Sequence, residues 1–436
     1  MSSDGQGVGE RPNVILIMVD TLSFREVGHL GGSNSTPNID RFAAQSTVFA
    51  RAYSTSSWTQ PAVASLFTGQ FPSRHGVDRI FESLPDSART LAEELSASGY
   101  LTAGIVSNFL LRTEFGLSQG FQEWDQRFTT LVEEVSSHRI TDAAISWLRR
   151  SPRRQPFFLY VHYMDPHFPY LPHAEFDKSS GYQGRLTPRT TRREFRKMMP
   201  ELDRADIDYW QALYREEVQF TDEHVGRLLD AVDKLELDNT IAIVTSDHGE
   251  EFFEHGWFEH IRTLYEELAR VVLVIRWPDS RGRTVETPVS LLALTPSILE
   301  AAGIERPHRL DGRSLSTLVS EVRPSRVPKV FLETDFVPHS AMGDAFDTRL
   351  TVANTALVDG DLKLIHDLGS KSWSLFDLAA DPMEKRDLYG EHGSSDDLQG
   401  LLSTWEDWKE RNAGRAEEID PDDTNVEMLR ALGYLD

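Results

Sequence analysis

The sequence alternates between continuous apolar runs and stretches with a helical spacing of apolar residues. The first run, residues 13–19, is apolar after Asn13 and is followed by Asp20. Runs of this kind are typical of strands that are buried on both faces of a parallel sheet. Further runs lie at residues 101–106, 157–161, 241–244 and 271–275, and helical patterns lie at residues 90–98, 140–149 and 214–235. The alternation predicts an α/β domain with a large, mixed, mostly parallel sheet sandwiched by helices.

The pattern changes near residue 324. Strand-like segments lie at residues 330–334, 351–358 and 362–365, and a helical pattern follows at residues 396–412. They predict a small C-terminal antiparallel sheet with a helix packed on it. The predicted units are a flexible N-terminus (residues 1–12), a large domain (13–323) and a small C-terminal subdomain (324–436). The tail at residues 420–436 is acidic and then apolar, and we expect it to dock on the folded chain.

A short helix with clear end signals is predicted within residues 57–69. Thr59 is a good N-cap, Pro61 fits the first turn, and Gly69 fits the C-terminal end. A hydroxyl at such a cap lies among free N–H groups and the positive end of the helix dipole, which suits a tetrahedral anion. Taken alone, the stretch is better explained as a capped core helix.

Polar residues follow three of the predicted strands. The first delivers Asp20, the third delivers His162, Asp165 and His167, and the fourth delivers Asp247 and His248. A single strand-ending Asp is most often only a turn or helix cap. Three strands that end in carboxylates and imidazoles predict a site, because ligands of α/β sheets collect beyond the carboxyl ends of the strands.

The residues at these ends suit a divalent metal. Asp20, Asp247 and His248 form an oxygen-rich set with one imidazole, which favours Zn²⁺ or Mn²⁺ over Ca²⁺. Thr59 is predicted as a fourth ligand and as the nucleophile that attacks phosphorus or sulfur, because metal coordination activates a weak hydroxyl. Asn108, after the second strand, is predicted to stabilise charge on the transferred group.

Two further histidines are candidate catalytic residues. His167 and His260 could protonate the leaving group or contact its oxygens, because imidazole titrates near neutral pH. They could instead join Asp165 in a second metal site, so that the number of metal ions is one or two. His162 is predicted to be a structural strand-end residue, His255 to orient the loop of Asp247 and His248, and Arg74 to be a structural ion-pair partner.

Composition restricts the partners. The chain has 436 residues, a formal net charge of −24 and no cysteine. The negative charge argues against nucleic-acid or membrane-surface binding, since both partners are anionic. Disulfides and thiolate metal sites are excluded. The first residues lack a signal-peptide pattern and residues 14–19 are too short to cross a membrane, so we expect a cytoplasmic protein with a small anionic ester as its substrate.

One segment combines irregular pattern with basic charge. Residues 173–213 form a predicted insertion rich in Lys and Arg, within an otherwise acidic chain. For most of these charges a solvated surface is the favoured interpretation. The functional interpretation is a lid that attracts an anionic substrate.

The chain resembles the sulfatase branch of the alkaline phosphatase superfamily, in order and over nearly its whole length. The resemblance implies a large mixed sheet between helices and a small C-terminal sheet domain. It also implies a metal-dependent ester hydrolase. The matching segments are residues 13–20, 36–40, 52–53, 59–69, 72–76, 162–170, 245–250, 254–256, 263–267, 310–315 and 375–382.

The departures from the family pattern bear on the reaction. Sulfatases carry Cys or Ser, matured to formylglycine, in a Cys/Ser-x-Pro-Ser-Arg motif. Here Thr59 and Val63 stand at its first and last positions, and threonine cannot become formylglycine. The paired N-terminal carboxylates are reduced to Asp20 followed by Thr21, and the Asp-Asn calcium ligands read Asp247-His248.

The family's sulfate-binding lysine is also missing. Ile261 stands in its place, flanked by His260 and Arg262, so Arg262 and Asn108 are the predicted substrate-binding residues. A Thr nucleophile with an Asp-His metal pair is similar to the phosphodiesterase and phosphoglycerol-transferase members of the superfamily. This favours hydrolysis, or transfer, of a phosphate mono- or diester. The alternatives are a sulfuric ester hydrolase without formylglycine and a non-catalytic anion-binding member.

Overall fold

The computed structural model describes residues 11–33, 35–129, 135–152, 154–278, 281–305, 310–320, 327–336, 352–391, 396–411 and 417–418. The predicted docking of the tail at residues 420–436 and most of the flexible N-terminus lie outside these residues. The predicted division at residue 323 stays a prediction.

The described part of the chain contains strands of two to eight residues. The strands are β1 (Asn13–Val19), β2 (Thr47–Phe49), β3 (Ala52–Tyr53), β4 (Glu82–Ser83), β5 (Leu101–Val106), β6 (Glu123–Asp125), β7 (Phe157–Tyr163), β8 (Thr240–Thr245), β9 (Glu251–Phe252), β10 (Phe258–Glu259), β11 (Arg270–Val271), β12 (Leu273–Arg276), β13 (Arg283–Val285), β14 (Val289–Ser290), β15 (Val330–Phe336), β16 (Val352–Asp359), β17 (Leu362–Asp367), β18 (Ser372–Asp377) and β19 (Glu417–Glu418).

Helices connect most of the long strands. The α-helices are α1 (Pro37–Ala43), α2 (Thr59–Thr68), α3 (Pro72–His75), α4 (Leu91–Ala97), α5 (Ser137–Arg150), α6 (Arg192–Met198), α7 (Arg204–Lys234), α8 (Glu266–Ala269), α9 (Leu294–Ala301), α10 (Ser316–Ser320) and α11 (Asp396–Arg411). Short 3₁₀ turns lie at Phe24–Glu26, Gly28–Leu30, Phe109–Leu111, Thr113–Phe115, Met199–Glu201 and Leu291–Ala293.

The large sheet places four carboxyl ends side by side. Its order is β13-β2-β12-β8-β1-β7-β5-β6. β8, β1, β7 and β5 are mutually parallel neighbours, whereas β12 runs antiparallel between β2 and β8. The residues that follow β1, β5, β7 and β8 therefore share one edge, as the ends of parallel strands must. The predicted α/β architecture is confirmed.

Both faces of this sheet are covered because β1 alternates between two apolar cores. Ile15, Ile17 and Val19 pack against α1, α5 and α7 on one face. Val14, Leu16 and Met18 pack against α2, α4 and α9 on the other. Alternation of side chains along a strand explains why a continuous apolar run is needed between two helical layers.

The C-terminal sheet is a four-stranded antiparallel meander, β15-β16-β17-β18. Leu398, Leu401 and Trp405 of α11 cover one of its faces. The other face packs on Tyr53 of β3, on Ala269 of α8 and on Leu264, which lies between β10 and α8. The predicted small sheet with its helix is confirmed, and β18 adds a strand that the pattern did not predict.

A buried lysine joins the two parts. Lys363 of β17 has no exposed surface, and its Nζ lies 3.1 Å from Glu266 Oε1 and 2.9 Å from Glu384 Oε1. Despite burial, the charges of Glu384 and Glu266 raise the pKa of Lys363. The ammonium is therefore charged and neutralised by carboxylates from both sides of the contact.

Several predicted bounds need correction. The long helix begins at Arg204, ten residues before the predicted start, where Asp203 caps it. The run at residues 271–275 is divided between β11 and β12, which belong to different sheets. Thr59 is the first helical residue of α2 and Trp58 is the N-cap, because Trp58 keeps an extended backbone with φ −156° and ψ 160°. Gly69 ends α2 with φ +65°, as predicted.

Among the residues that the structure describes, no helix combines the length and the apolar content needed to cross a membrane.

We expect acid to destabilise the fold through His75, which braces α3 against α2. Its Nε2 lies 2.9 Å from Ser65 Oγ, and its Nδ1 accepts from the Val77 N–H at 3.1 Å. Burial lowers the pKa of His75 to about 3. Between about pH 6.5 and pH 3, His75 therefore binds a proton in the unfolded chain but not in the folded protein. The free energy of unfolding consequently falls as the pH drops below about 6.5.

The test is urea unfolding of the wild type and of His75→Asn at pH 7 and pH 5. The wild type should lose about 2 kcal/mol more than the variant between these pH values, which is one proton over about 1.5 pH units. Equal losses in the two proteins would contradict the assignment.

Candidate active site

Three strand ends at one edge of the large sheet bring the predicted site together. Asp20 follows β1 directly, Asn108 follows β5, and Asp247 and His248 follow β8. Asn108 also caps the next turn, since its Oδ1 accepts from the Leu110 N–H at 2.8 Å. All four side chains are buried. The topology thus assembles residues that are more than 200 positions apart in the sequence.

The Thr59 hydroxyl lies among these side chains. Its Oγ1 is 3.4 Å from Asp20 Oδ2, 3.4 Å from His248 Nε2 and 3.3 Å from Asn108 Nδ2. Thr59 stands at the first position of α2, so the helix dipole is directed at the same point. Although Thr59 is not the N-cap, its hydroxyl occupies the predicted place at the helix N-terminus.

Asp20, Asp247 and His248 form a group that could hold a metal ion. Each offers one ligand atom, and these atoms lie within 4.8 Å of one another. His248 Nδ1 donates to the Gly249 carbonyl at 3.0 Å, which leaves the Nε2 lone pair facing the carboxylates. Asp20 Oδ1 and Asp247 Oδ2 are buried and have no hydrogen-bond partner in the described part of the chain.

These unpartnered oxygens fit a divalent cation. Burial and the charge of Asp20 raise the pKa of Asp247, because two close carboxylates resist simultaneous ionisation. Burial acts in the same direction on Asp20, but the hydrogen bond from His162 and the neighbouring histidines lower its pKa overall. Two carboxylates and a correctly oriented imidazole form a donor set that could hold a divalent metal ion.

His162 has a role that the sequence did not reveal. Its Nε2 lies 3.1 Å from Asp20 Oδ2, and its Nδ1 lies 2.8 Å from the Tyr160 hydroxyl. A carboxylate only accepts, so Nε2 donates to Asp20 and Nδ1 accepts from Tyr160. Asn108 Nδ2 donates to the same Asp20 oxygen at 2.6 Å. His162 therefore fixes a predicted metal ligand, as outer ligands of metal sites do. His162 pairs with Met18 of β1, two residues before Asp20, and this register explains why its ring reaches Asp20.

The predicted catalytic histidines lie next to the metal group. The ring of His260 lies 4.4 Å from that of His248 and 5.0 Å from that of His167, measured between centroids. His260 Nδ1 is 3.0 Å from Glu250 Oε1, and His167 Nδ1 donates to the Phe168 carbonyl at 2.7 Å. Burial lowers the pKa of His167 to about 3 and that of His260 well below its ordinary value. Both imidazoles are neutral at pH 7 in the ligand-free protein.

Backbone strain is concentrated around His260. Glu259 and Ile261, on either side of it, have φ values of +68° and +84°, and Thr21 beside Asp20 has +55°. A left-handed β-branched residue such as Ile261 costs about 1–3 kcal/mol. The Ile261 N–H donates to the Ser57 carbonyl at 2.9 Å, and Ser57 Oγ donates to the Ile261 carbonyl at 2.8 Å. These bonds hold the strained segment against the residues that precede α2.

The predicted second metal site is wrong for Asp165. Its carboxylate accepts the N–H groups of Ser136 and Ser137 at 2.8 Å, together with the Ser136 hydroxyl at 2.6 Å. Asp165 is thus used at the N-terminus of α5, where backbone donors and the dipole attract a carboxylate. In the described ranges, the group with metal-ligand geometry is Asp20, Asp247 and His248.

The remaining candidates lie in separate environments. The Arg262 guanidinium lies 4.3 Å from the centre of the Trp257 ring, so its substrate-binding role stays a prediction. His255 Nδ1 lies 2.5 Å from Glu267 Oε1, and Glu267 packs against Gly249 beside His248. Arg74 pairs with Asp311 at 3.2 Å. The last two positions agree with the predicted orienting and ion-pair roles.

The expectation of a solvated insertion fails for two charges. Arg192 and Arg196 of α6 are 2% and 5% exposed. Both contact the carboxylate of Glu259, Arg196 at 3.6 Å. The long-range ion pairing with a residue beyond α7 is the physical reason, and no local pattern could have signalled it.

We expect Asp247→Asn to abolish metal-induced stabilisation without weakening the metal-free protein. The substitution removes one of two buried, mutually repelling carboxylates. The wild type should gain about 2.7 kcal/mol at a metal concentration 100 times the dissociation constant. Thermal unfolding with chelator, and then with Zn²⁺ or Mn²⁺, measures both effects. A variant that gains as much as the wild type would contradict the assignment.

Asp165→Asn is the matched control. We expect it to lower the unfolding temperature in chelator, because α5 loses a carboxylate at its N-terminus, at a cost of about 1 kcal/mol. The number of bound metal ions, measured by elemental analysis, should stay equal to that of the wild type. A loss of one ion would instead restore the two-metal site.

Comparison with known proteins agrees with this fold. The Uncharacterized sulfatase YidJ of Escherichia coli (strain K12) is 28% identical over 424 residues, which cover 87% of this chain and 83% of that protein. The N-acetylglucosamine-6-O-sulfatase of Bacteroides thetaiotaomicron is 24% identical and covers 97% of this chain and 89% of its own length. The crystal structure of the phosphonate monoester hydrolase of Agrobacterium radiobacter has a TM-score of 0.73 at 21% identity, covering 92% of this chain and 95% of that chain.

Family models cover most of the chain. The model described as Sulfatase matches residues 12–304. The model described as N-sulphoglucosamine sulphohydrolase, C-terminal, matches residues 253–409. The chain is a sulfatase-family hydrolase and belongs to the sulfatase family within the alkaline phosphatase superfamily.

Proposed function

We propose that the protein is a metal-dependent hydrolase of phosphate mono- or diesters with Thr59 as its nucleophile. The observation that carries the proposal is the position of Thr59 Oγ1, within 3.4 Å of both Asp20 Oδ2 and His248 Nε2. The hydroxyl is thus placed against a group that could hold a metal, at the N-terminus of a buried helix.

Formylglycine chemistry does not fit this chain. It requires a cysteine or serine precursor, and position 59 is threonine in a chain without cysteine. An aldehyde hydrate suits sulfate esters because it can expel sulfate by elimination, whereas a plain hydroxyl forms an ester that water must cleave at the central atom. Phosphorus accepts attack by water more readily than sulfur does in such an ester, so Thr59 favours phosphate.

The residues can perform a two-step displacement. Thr59 Oγ1 forms a bond to phosphorus while the bond to the leaving oxygen breaks, and that oxygen takes up a proton. Water then cleaves the bond between Oγ1 and phosphorus, and this step releases phosphate or a phosphomonoester and restores the hydroxyl. Asp20 Oδ2 accepts the hydrogen bond of the Thr59 hydroxyl and is the nearby acceptor for its proton. Asn108 Nδ2 lies within hydrogen-bond distance of Thr59 Oγ1, so it can donate to the group that is transferred to this oxygen.

Asp20, Thr59, Asp247 and His248 would hold the metal. A bound Zn²⁺ or Mn²⁺ would lower the pKa of a coordinated hydroxyl and offset negative charge on the transferred group. His167 and His260 line the adjacent side, where they can contact substrate oxygens or exchange a proton with the leaving group.

A sulfuric ester hydrolase is the second candidate. It is supported by the similarity of the chain to the N-acetylglucosamine-6-O-sulfatase of Bacteroides thetaiotaomicron. The phosphonate monoester hydrolase neighbour shows that the same fold also carries phosphorus chemistry. A non-catalytic anion-binding role is the third candidate, but the four predicted metal ligands and Asn108 are retained and assembled, whereas a degenerate site loses such groups.

The Thr59→Ala variant is expected to lower kcat by at least about 10³-fold, because it removes the nucleophile. Metal content and fold should persist. Initial rates on an aryl phosphate monoester, an aryl phosphodiester and an aryl sulfate, with Zn²⁺ or Mn²⁺, provide the measurement. Thr59→Ser should retain measurable turnover because it keeps a hydroxyl at the same carbon.

Thr68→Ala is the matched control at the other end of α2. Thr68 is equally buried, and its hydroxyl donates to the Ala64 carbonyl and accepts from the Gln70 N–H, so neither described partner belongs to the metal group. Its activity should stay near that of the wild type. Turnover by Thr59→Ala comparable to the control would defeat the nucleophile assignment, and preferred turnover of the sulfate by the wild type would select the second candidate.

A further inference from the structure

The predicted insertion delivers a guanidinium to the edge of the site. Arg192 is the first residue of α6, which Thr191 and Glu194 fix through a reciprocal capping box. Its side chain is 1% exposed and pairs with Glu259 of β10. The guanidinium also lies 5.0 Å from the centre of the Phe168 ring. Arg192 is thus held at several points, and its charge has a defined position.

This position adjoins the catalytic histidines. Arg192 Nη2 lies 3.5 Å from His167 Nε2. Because His167 Nδ1 donates to the Phe168 carbonyl, Nε2 is an acceptor and Arg192 is the donor. His260 follows next to His167, and His248 of the metal group follows next to His260. Arg192 therefore contacts a cluster of three imidazoles, and one of them, His248, belongs to the metal group.

The charge of the metal group leaves a requirement that Arg192 meets. With a divalent cation bound, Asp20 and Asp247 would both be ionised, and their two negative charges would only balance the charge of the cation. A phosphate monoester brings up to two further negative charges into a site where the surrounding side chains are buried. Buried anions need paired cations or several donors, and a fixed guanidinium supplies both.

We propose that Arg192 binds a non-bridging oxygen of the substrate and makes the site selective for dianionic head groups, such as phosphate monoesters, over singly charged diesters and sulfates. The inference rests on the proposed function for the identity of the ester. On substrate binding, one N–H of Arg192 that now faces His167 Nε2 is shared with, or passed to, the incoming oxygen. Glu259 keeps the guanidinium in place during this exchange.

Glu259 links this clamp to the rest of the site. It precedes His260 directly, and its left-handed backbone, with φ +68°, aims its carboxylate at α6 while the next residue faces the metal group. Arg196 contacts the same carboxylate at 3.6 Å and is similarly buried. Arg196 lies one helical turn beyond Arg192, so it shares the structural ion pairing and provides a matched control.

The experiment compares Arg192→Gln, Arg192→Lys and Arg196→Gln in the full-length, metal-loaded protein. Calorimetry gives the dissociation constant of inorganic phosphate, and initial rates give kcat/KM for the aryl phosphate monoester and the aryl phosphodiester. We expect Arg192→Gln to weaken phosphate binding at least about tenfold and to lower the monoester-to-diester ratio by a similar factor, as loss of a charged hydrogen bond does. Arg192→Lys should recover part of both.

Arg196→Gln should leave the phosphate affinity and the ratio unchanged. The proposal is overturned if folded Arg192→Gln keeps both wild-type values, or if Arg196→Gln changes them as much. If Arg192→Gln does not fold, the test rests on the phosphate affinity and the monoester-to-diester ratio of Arg192→Lys. Wild-type values of both in that variant would overturn the proposal.

The outcomes also separate this proposal from the proposed function. Arg192-dependent phosphate binding in a wild type that cleaves none of the esters would support the anion clamp and defeat the hydrolase. Ester turnover by the wild type, together with a phosphate affinity that does not change in the Arg192 variants, would support the hydrolase and defeat the anion clamp.

Discussion

The structure depends on two carboxylates that face each other out of contact with solvent. Asp20 and Asp247 are 0% exposed, and each has an oxygen without a hydrogen-bond partner in the described residues. Two such charges repel strongly in a medium of low polarity. The surrounding side chains reduce this repulsion only in part. His162 and Asn108 donate hydrogen bonds to one oxygen of Asp20, and the Nε2 lone pair of His248 faces both carboxyl groups. What is left over is suited to a doubly charged cation.

The fold and the centre of the site were accessible from the sequence because both follow from one pattern. A strand buried on both faces must be continuously apolar, so the polar residue after it marks the carboxyl end of the strand. Asp20, Asp247 and His248 were found in this way, and Thr59 was found through the helix signals at Pro61 and Gly69. The exact N-cap of α2 was not predictable. Whether Trp58 or Thr59 is the N-cap depends on which of the two has an extended backbone, and tertiary contacts decide that.

Features that depend on pairing between distant residues were not accessible. Asp165 looked like a metal ligand in the linear motif, yet Ser136 and Ser137 claim its carboxylate. His162 looked structural until its ring was seen against Asp20. Arg192 looked like one basic residue among several until Glu259 was found beside it. In each case the residue type was informative and the partner, which fixes the role, lay on another element.

Lys363 has a consequence for how the chain can be divided. Its ammonium is enclosed by Glu266, which belongs to the large part of the molecule, and by Glu384, which belongs to the C-terminal part. Separating the parts would take the Lys363 ammonium away from Glu266, which would keep only the more distant Arg270 guanidinium at 3.9 Å among the described ion pairs. It would also expose the apolar sheet face that packs on Tyr53 and Leu264. The C-terminal sheet is therefore not a module that can be exchanged freely, because a replacement sheet must supply a cation at the position of Lys363 or the large part must lose Glu266.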